Sequence, residues 1–65
     1  MYKNLETEMK KRNITNLDLA HTLNVSPKTV SFKLNGKARF NVDEMWLIKK
    51  NYFEDLSLEY IFEYC

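Results

Sequence analysis

The residues best spaced for chemistry lie between Ser26 and Arg39. Pro27, Lys28, Thr29, Ser31, Phe32 and Lys33 fall within two helical turns, and Asn35, Lys37 and Arg39 follow at once. No general base, nucleophile or metal-ligand set accompanies them. They offer cations, hydroxyls, an amide and one aromatic ring. A lysine can donate to guanine O6 and N7 or to phosphate, a threonine can bond base edges or phosphate, and a phenyl ring can pack on a thymine methyl. Asn35, Lys37 and Arg39 could lie along a phosphate strand and position a partner without reading sequence. A solvated helix and loop can carry the same residue types, so the elements that hold them must decide.

Those elements are legible from their caps. Four segments repeat one pattern, in which an apolar residue precedes a capping residue and a second apolar residue lies five positions after the first. They are Ile14–Thr15–Leu19, Val25–Ser26–Val30, Phe40–Asn41–Met45 and Leu56–Ser57–Ile61. Each middle residue can accept from orphan N–H groups at a helix start, and the apolar pair can close as a hydrophobic staple. Asp18 and Glu44, each three residues after its cap, complete the pattern of a capping box. An earlier helix from about Tyr2 to Arg12 places Leu5 and Met9 on one face. Asn13, Asn24 and the single glycine, Gly36, supply stops, because each tolerates the left-handed backbone that ends many helices. Pro27 falls at the first position after Ser26, where its missing N–H costs nothing.

The expectation is an all-α chain of five helices in one domain over residues 1–65. Its predicted core is Leu5, Met9, Ile14, Leu19, Ala20, Leu23, Val25, Val30, Leu34, Phe40, Met45, Ile48, Phe53, Leu56, Ile61 and Phe62. Ala20 is small enough to let two helices cross closely after a short turn. With Val30 as the inward direction and about 100° per residue, Leu34 lies about 40° away, while Lys28, Phe32 and Asn35 lie about 140–200° away and face out. Two readings of Phe32 stand, contact with the DNA groove or local packing over Phe40 or the neighbouring loop.

Composition narrows the class of function. A chain of 65 residues buries only about 60% of its unfolded surface, which favours a binding surface over a substrate-burying pocket. Hydrophobic residues at 45% with 14% aromatic exclude a disordered chain. The net charge of +1 hides a division, since residues 1–41 carry eight Lys and Arg against three acids and residues 42–65 carry two against six. The basic half contains the residues described above. No apolar run is long enough for a membrane span, and the start of the chain, charged from Lys3, lacks a signal-peptide core. With Cys65 the sole cysteine, no internal disulfide forms, and the expected setting is the reducing cytoplasm. Cys65 itself is expected to be an exposed tail thiol, with an intermolecular disulfide as the alternative. No metal spacing, phosphate loop or catalytic pair is found, so no enzyme activity and no cofactor are expected. His21 is expected to be exposed and Trp46 partly buried, with a partner surface as the alternative for Trp46, and the Tyr60–Phe62–Tyr64 cluster suits either a dimer seam or packing on the first helix.

The run Ile14-Thr15-x-x-Asp18-Leu19-Ala20-x-x-Leu23-x-Val25-Ser26-x-x-Thr29-Val30-Ser31, followed by Leu34-Asn35-Gly36-Lys37, resembles the phage repressor and Cro family of helix-turn-helix proteins. The likeness extends through Phe40-x-Val42-Asp43-Glu44 to Leu56-Ser57-Leu58-Glu59-Tyr60-Ile61-Phe62, a tail similar to small stand-alone regulators of prophages and mobile elements. It implies a five-helix, lambda-repressor-like domain whose third helix enters the DNA major groove, as a homodimer on a palindromic operator. By position, Asn16 matches a phosphate contact at the start of the second helix, usually Gln. Pro27, Lys28 and Phe32 match base-reading positions, and Thr29, Asn35, Lys37 and Arg39 match backbone contacts. Pro27 cannot donate a side-chain hydrogen bond, so specificity would rest on Lys28 and Phe32 with Thr29 and Ser31, and Lys33 would join the phosphate contacts. The expected function is a sequence-specific regulator of transcription. The competing expectation is an interaction or antitoxin-like adaptor module on the same fold, without DNA reading. A basic surface around Lys28 with Phe32 tucked in would favour DNA, and an exposed apolar patch around Phe32 and Trp46 would favour a protein partner.

Overall fold

The computed structural model describes residues 1–64, so the expectation for Cys65 lies outside the described residues. The described residues form α1 (Lys3–Lys11), α2 (Asn16–Leu23), α3 (Pro27–Leu34), α4 (Val42–Tyr52) and α5 (Leu58–Ile61), with no strand among them. No helix among them is long and apolar enough to cross a membrane. The Cα radius of gyration, 10.4 Å, matches the roughly 10.7 Å expected for one compact body of this length.

The four anticipated caps all form. Thr15, Ser26, Asn41 and Ser57 each accept a hydrogen bond from the backbone N–H three residues on, and Asp18 and Glu44 answer to the cap N–H groups as full capping boxes. The stops are equally regular. Asn13, Asn24 and Gly36 have φ of 56°, 57° and 82°. After each of them, the next N–H reaches back five residues, as in Ile14 to Met9, Val25 to Ala20 and Lys37 to Phe32. This is the Schellman arrangement, which satisfies carbonyls the helix leaves open. Ile14 and Val25 therefore act twice, closing one helix and preceding the cap of the next. Such thrift keeps the α2–α3 connection to three residues, and α2 packs against both α3 and α4.

Leu5, Met9, Leu19, Ala20, Val30, Leu34, Phe40, Ile48, Phe53, Ile61 and Phe62 are buried as expected. Ile14, Leu23, Val25, Met45 and Leu56 are only partly buried against them. The core also takes in Tyr2, which the sequence reading placed on the first helix without an inward role. Tyr2 is 1% exposed. Its ring lies 5.2 Å from Phe40, 6.0 Å from Phe62 and 5.1 Å from Tyr64, centroid to centroid. The Phe40 N–H donates to its hydroxyl at 3.2 Å.

The C-terminal aromatics pack within the chain, although Tyr60 and Tyr64 keep 41% and 37% of their surface exposed. Phe62 is buried, the Tyr60 hydroxyl donates to buried Glu8, and the Tyr64 hydroxyl donates to the Gly36 carbonyl. Trp46 reverses its expectation, being 54% exposed. On α4, Met45, Ile48 and Tyr52 already fill the inward stripe, and Trp46 lies on the opposite side.

Arg12 clamps the end of α1 to the end of α4. It donates to the Tyr52 carbonyl at 2.8 Å, makes a two-pronged pair with Asp55 at 2.9 and 2.8 Å, and stacks 5.0 Å from the centre of the Phe53 ring. The hydrogen bonds from Arg12 hold the Asp55 carboxyl below its ordinary range. The folded state thus takes up that proton less readily than the unfolded chain. The stabilisation is present above the ordinary carboxylate pKa and is lost as pH falls through the lowered one.

Two measurements test these contacts. Tyr2→Phe keeps the ring and strands the Phe40 N–H, and should lower the unfolding free energy by about 1–3 kcal/mol in denaturant titration. Asp55→Asn should be less stable than the wild type at pH 7, and the two curves should converge as pH drops below about 4.

Candidate nucleic-acid interface

Ser26 starts α3 with its hydroxyl on the Thr29 N–H at 3.2 Å, and it also lies 3.0 Å from the Thr29 hydroxyl. That register turns Val30 and Leu34 inward, at 0% and 6% exposure. Lys28 and Asn35 stand exposed on the other side, with Pro27 at the exposed first turn and Thr29 and Ser31 half-buried on the flanks. Lys28 has no carboxylate partner among the described residues.

Phe32 packs in part on the neighbouring loop, one of the two expectations for it, and stays 47% exposed. Lys37 Nζ sits 5.2 Å from the centre of its ring. The cation faces the negative side of the π system, an attraction of about 0.5–1 kcal/mol at an exposed site. The ring thus stays on the outward face of α3 and is held there by the loop that follows. Arg39 is held likewise, its guanidinium carbon 3.8 Å from the centre of the Tyr64 ring. Tyr64 bonds Gly36, where any added Cβ would lie 2.6 Å from the tyrosine hydroxyl. The positive φ favours glycine here, and a larger residue would also push the Tyr64 hydroxyl aside.

Shallow grooves run along both flanks of α3. One is lined by Ser26, Lys28, Thr29, Phe32, Lys33 and Ala38, with no acid. The other brings Asn16, Ser31 and Asn35 together with Lys10, and Glu6 is the acid in its lining. Lys10 is a cation that sequence reasoning missed. It belongs to α1, far away in the chain, and only the packing of α1 brings it beside α3. His21 is exposed on α2, in a third hollow with Leu17 and Pro27.

Lys33, expected among the phosphate contacts, is paired with Glu44. Its Nζ lies 2.6 and 2.7 Å from the two Glu44 oxygens, and both side chains are 15% exposed. It also sits 5.7 Å from the centre of the Phe40 ring. Its charge is spent joining α3 to the first turn of α4. Among the described residues, the cations around α3 with no carboxylate partner are Lys10, Lys28, Lys37 and Arg39. No group of His, Cys, Asp and Glu among the described residues is arranged to hold a metal ion.

No family model matches the chain, and no curated protein or solved structure matches it either.

Lys33→Met keeps the aliphatic stem and leaves Glu44 without its cation. It should lower the unfolding free energy by about 1–2 kcal/mol, between the values for exposed and fully buried pairs, as read by chemical denaturation.

Proposed function

We propose that α2 and α3 form a helix-turn-helix of the phage repressor and Cro type, and that the protein binds double-stranded DNA as a sequence-specific regulator of transcription. The observation that carries this reading is the outward face of α3. It presents Lys28 and Phe32 beside a groove without acids, while Val30 and Leu34 anchor the helix from behind. At eight residues α3 is about 12 Å long, which suits a major groove about 12 Å wide.

The roles divide by chemistry. Lys28 donates to guanine O6 and N7, Phe32 packs on thymine methyls, and Thr29 and Ser31 bond base edges from the flanks. Pro27 contributes shape at the first turn. Asn16, Asn35, Lys37 and Arg39 bond phosphates and fix the register, and Lys10 joins them from α1. Lys33 takes no part, because Glu44 neutralises it. Two copies on an inverted repeat would each place one α3 in successive major grooves, about one helical turn apart. On this reading the chemistry is recognition alone and calls for no cofactor.

Selection from a randomised duplex pool at low salt tests the proposal, and should enrich inverted half-sites about 10 base pairs apart. Retention without enrichment would remove base reading, and no retention would remove DNA. Two variants separate the roles. Lys37→Ala should weaken all duplexes alike and flatten the log–log salt dependence by about one unit. Lys28→Ala should cost about 1–3 kcal/mol at particular base pairs and leave others unchanged.

A further inference from the structure

The outward side of α4 carries a second pattern that the DNA reading does not use. Asp43, Trp46, Leu47 and Lys50 follow the spacing i, i+3, i+4 and i+7, which makes one stripe on a helix. All four are exposed, with Trp46 at 54% and Leu47 at 42%. They line a shallow groove of about 580 Å³ with Lys49 and Glu54. Neither Asp43 nor Lys50 has an ion-pair partner among the described residues. The stripe is thus an apolar centre with an unpaired acid at one end and an unpaired base at the other.

That order is complementary to itself. When two copies of α4 meet antiparallel about a two-fold axis passing between Trp46 and Leu47, Asp43 of each copy falls opposite Lys50 of the other. Trp46 of each copy then covers Leu47 of the other. A parallel meeting would set acid on acid and base on base. A two-fold interface requires such self-complementarity. We propose that this face of α4 is the seam of an antiparallel homodimer.

Area sets its strength. A helix of 11 residues is about 16 Å long and 10–12 Å wide, so the seam covers a few hundred Å² per copy against about 800 Å² in a standard stable interface. The dimer is therefore weak in free solution, with a dissociation constant of about 10⁻⁴–10⁻³ M, and is completed when two copies are held on one ligand. The DNA reading asks for a dimer without saying which face makes it, and the seam stands on α4 alone.

The test is self-association of the full chain without DNA, by sedimentation equilibrium up to about 2 mM, with the single indole N–H resonance of Trp46 followed on dilution. The expected result is a monomer–dimer equilibrium in which that resonance moves with concentration. Asp43→Lys and Lys50→Asp should each weaken association about tenfold, since two attractive contacts become repulsive ones. An equimolar mixture of the two variants should restore it, because every facing pair is then opposite in sign. Circular dichroism first checks that both variants are helical. Trp46→Ala, at an exposed position, provides a second variant should either fail, and it should abolish association. A chain monomeric at every concentration, a dimer that leaves the indole resonance unmoved or survives Trp46→Ala, or a mixture that does not restore association would each overturn the seam. DNA is absent throughout, so the seam can fail while duplex selection succeeds, and the reverse.

Discussion

The scarcity of interior space makes Tyr2 the residue on which the rest of the structure leans. In so short a chain no single pair of helices can enclose a core, so both termini and the loop after α3 must share one. Tyr2 brings them together, with its ring between Phe40, Phe62 and Tyr64 and its hydroxyl on the Phe40 N–H. The loop between α3 and α4 is thereby tied at its far end. Tyr64 then ties its near end through Gly36 and supplies the surface on which Arg39 stacks. The cations proposed to hold a phosphate strand stand on a loop fixed from both sides. Their positions are set by aromatic packing some sixty residues apart in the sequence.

Charge shows the same division of labour. The basic and acidic halves of the chain do not simply face each other. Arg12 with Asp55 and Lys33 with Glu44 cross between them and draw helices together. Each pair withdraws one cation from the basic half, Lys11 lies beside Glu8, and Lys10, Lys28, Lys37 and Arg39 remain around α3. A count of lysines and arginines overstates the surface available to an anion, because the fold consumes some of the charge as fastening.

The caps and stops were legible because they are local. A capping hydroxyl, a left-handed asparagine and an apolar residue beside each act over three to five residues, and Thr15, Asp18, Asn24 and Ser26 behave in the structure as their spacing requires. The outward direction of Lys28 and Phe32 followed from the same register. Long-range partners were not legible. Nothing near Tyr2 announces that the other end of the chain will cover it, and nothing near Lys33 shows that Glu44 will stand beside it. Trp46 failed for a different reason. Helix α4 carries apolar residues on two sides, with Met45, Ile48 and Tyr52 on one and Val42, Trp46 and Leu47 on the other. Met45 and Ile48 take the inward side as expected, but Trp46, one helical step from Met45, does not share that burial. The larger side chain was left outside.

The Lys33–Glu44 pair connects the two surfaces to which functions are proposed. Lys33 follows Phe32 on α3, and Glu44 follows Asp43 on α4, so each partner is the chain neighbour of a residue assigned to an interface. Both side chains are largely withdrawn from water, and the ammonium lies near both carboxylate oxygens and above the Phe40 ring. Half-buried charge of this kind tolerates little displacement, since moving either end exposes an unpaired ion in a poor solvent. A dimer joined along α4 would thus fix the orientation of each α3 through a contact of one side-chain pair, without relying on the flexible stems of surface lysines. The spacing between two reading helices would then be a property of α4 packing, and the weakness of the seam would leave the assembly dependent on the duplex that both copies hold.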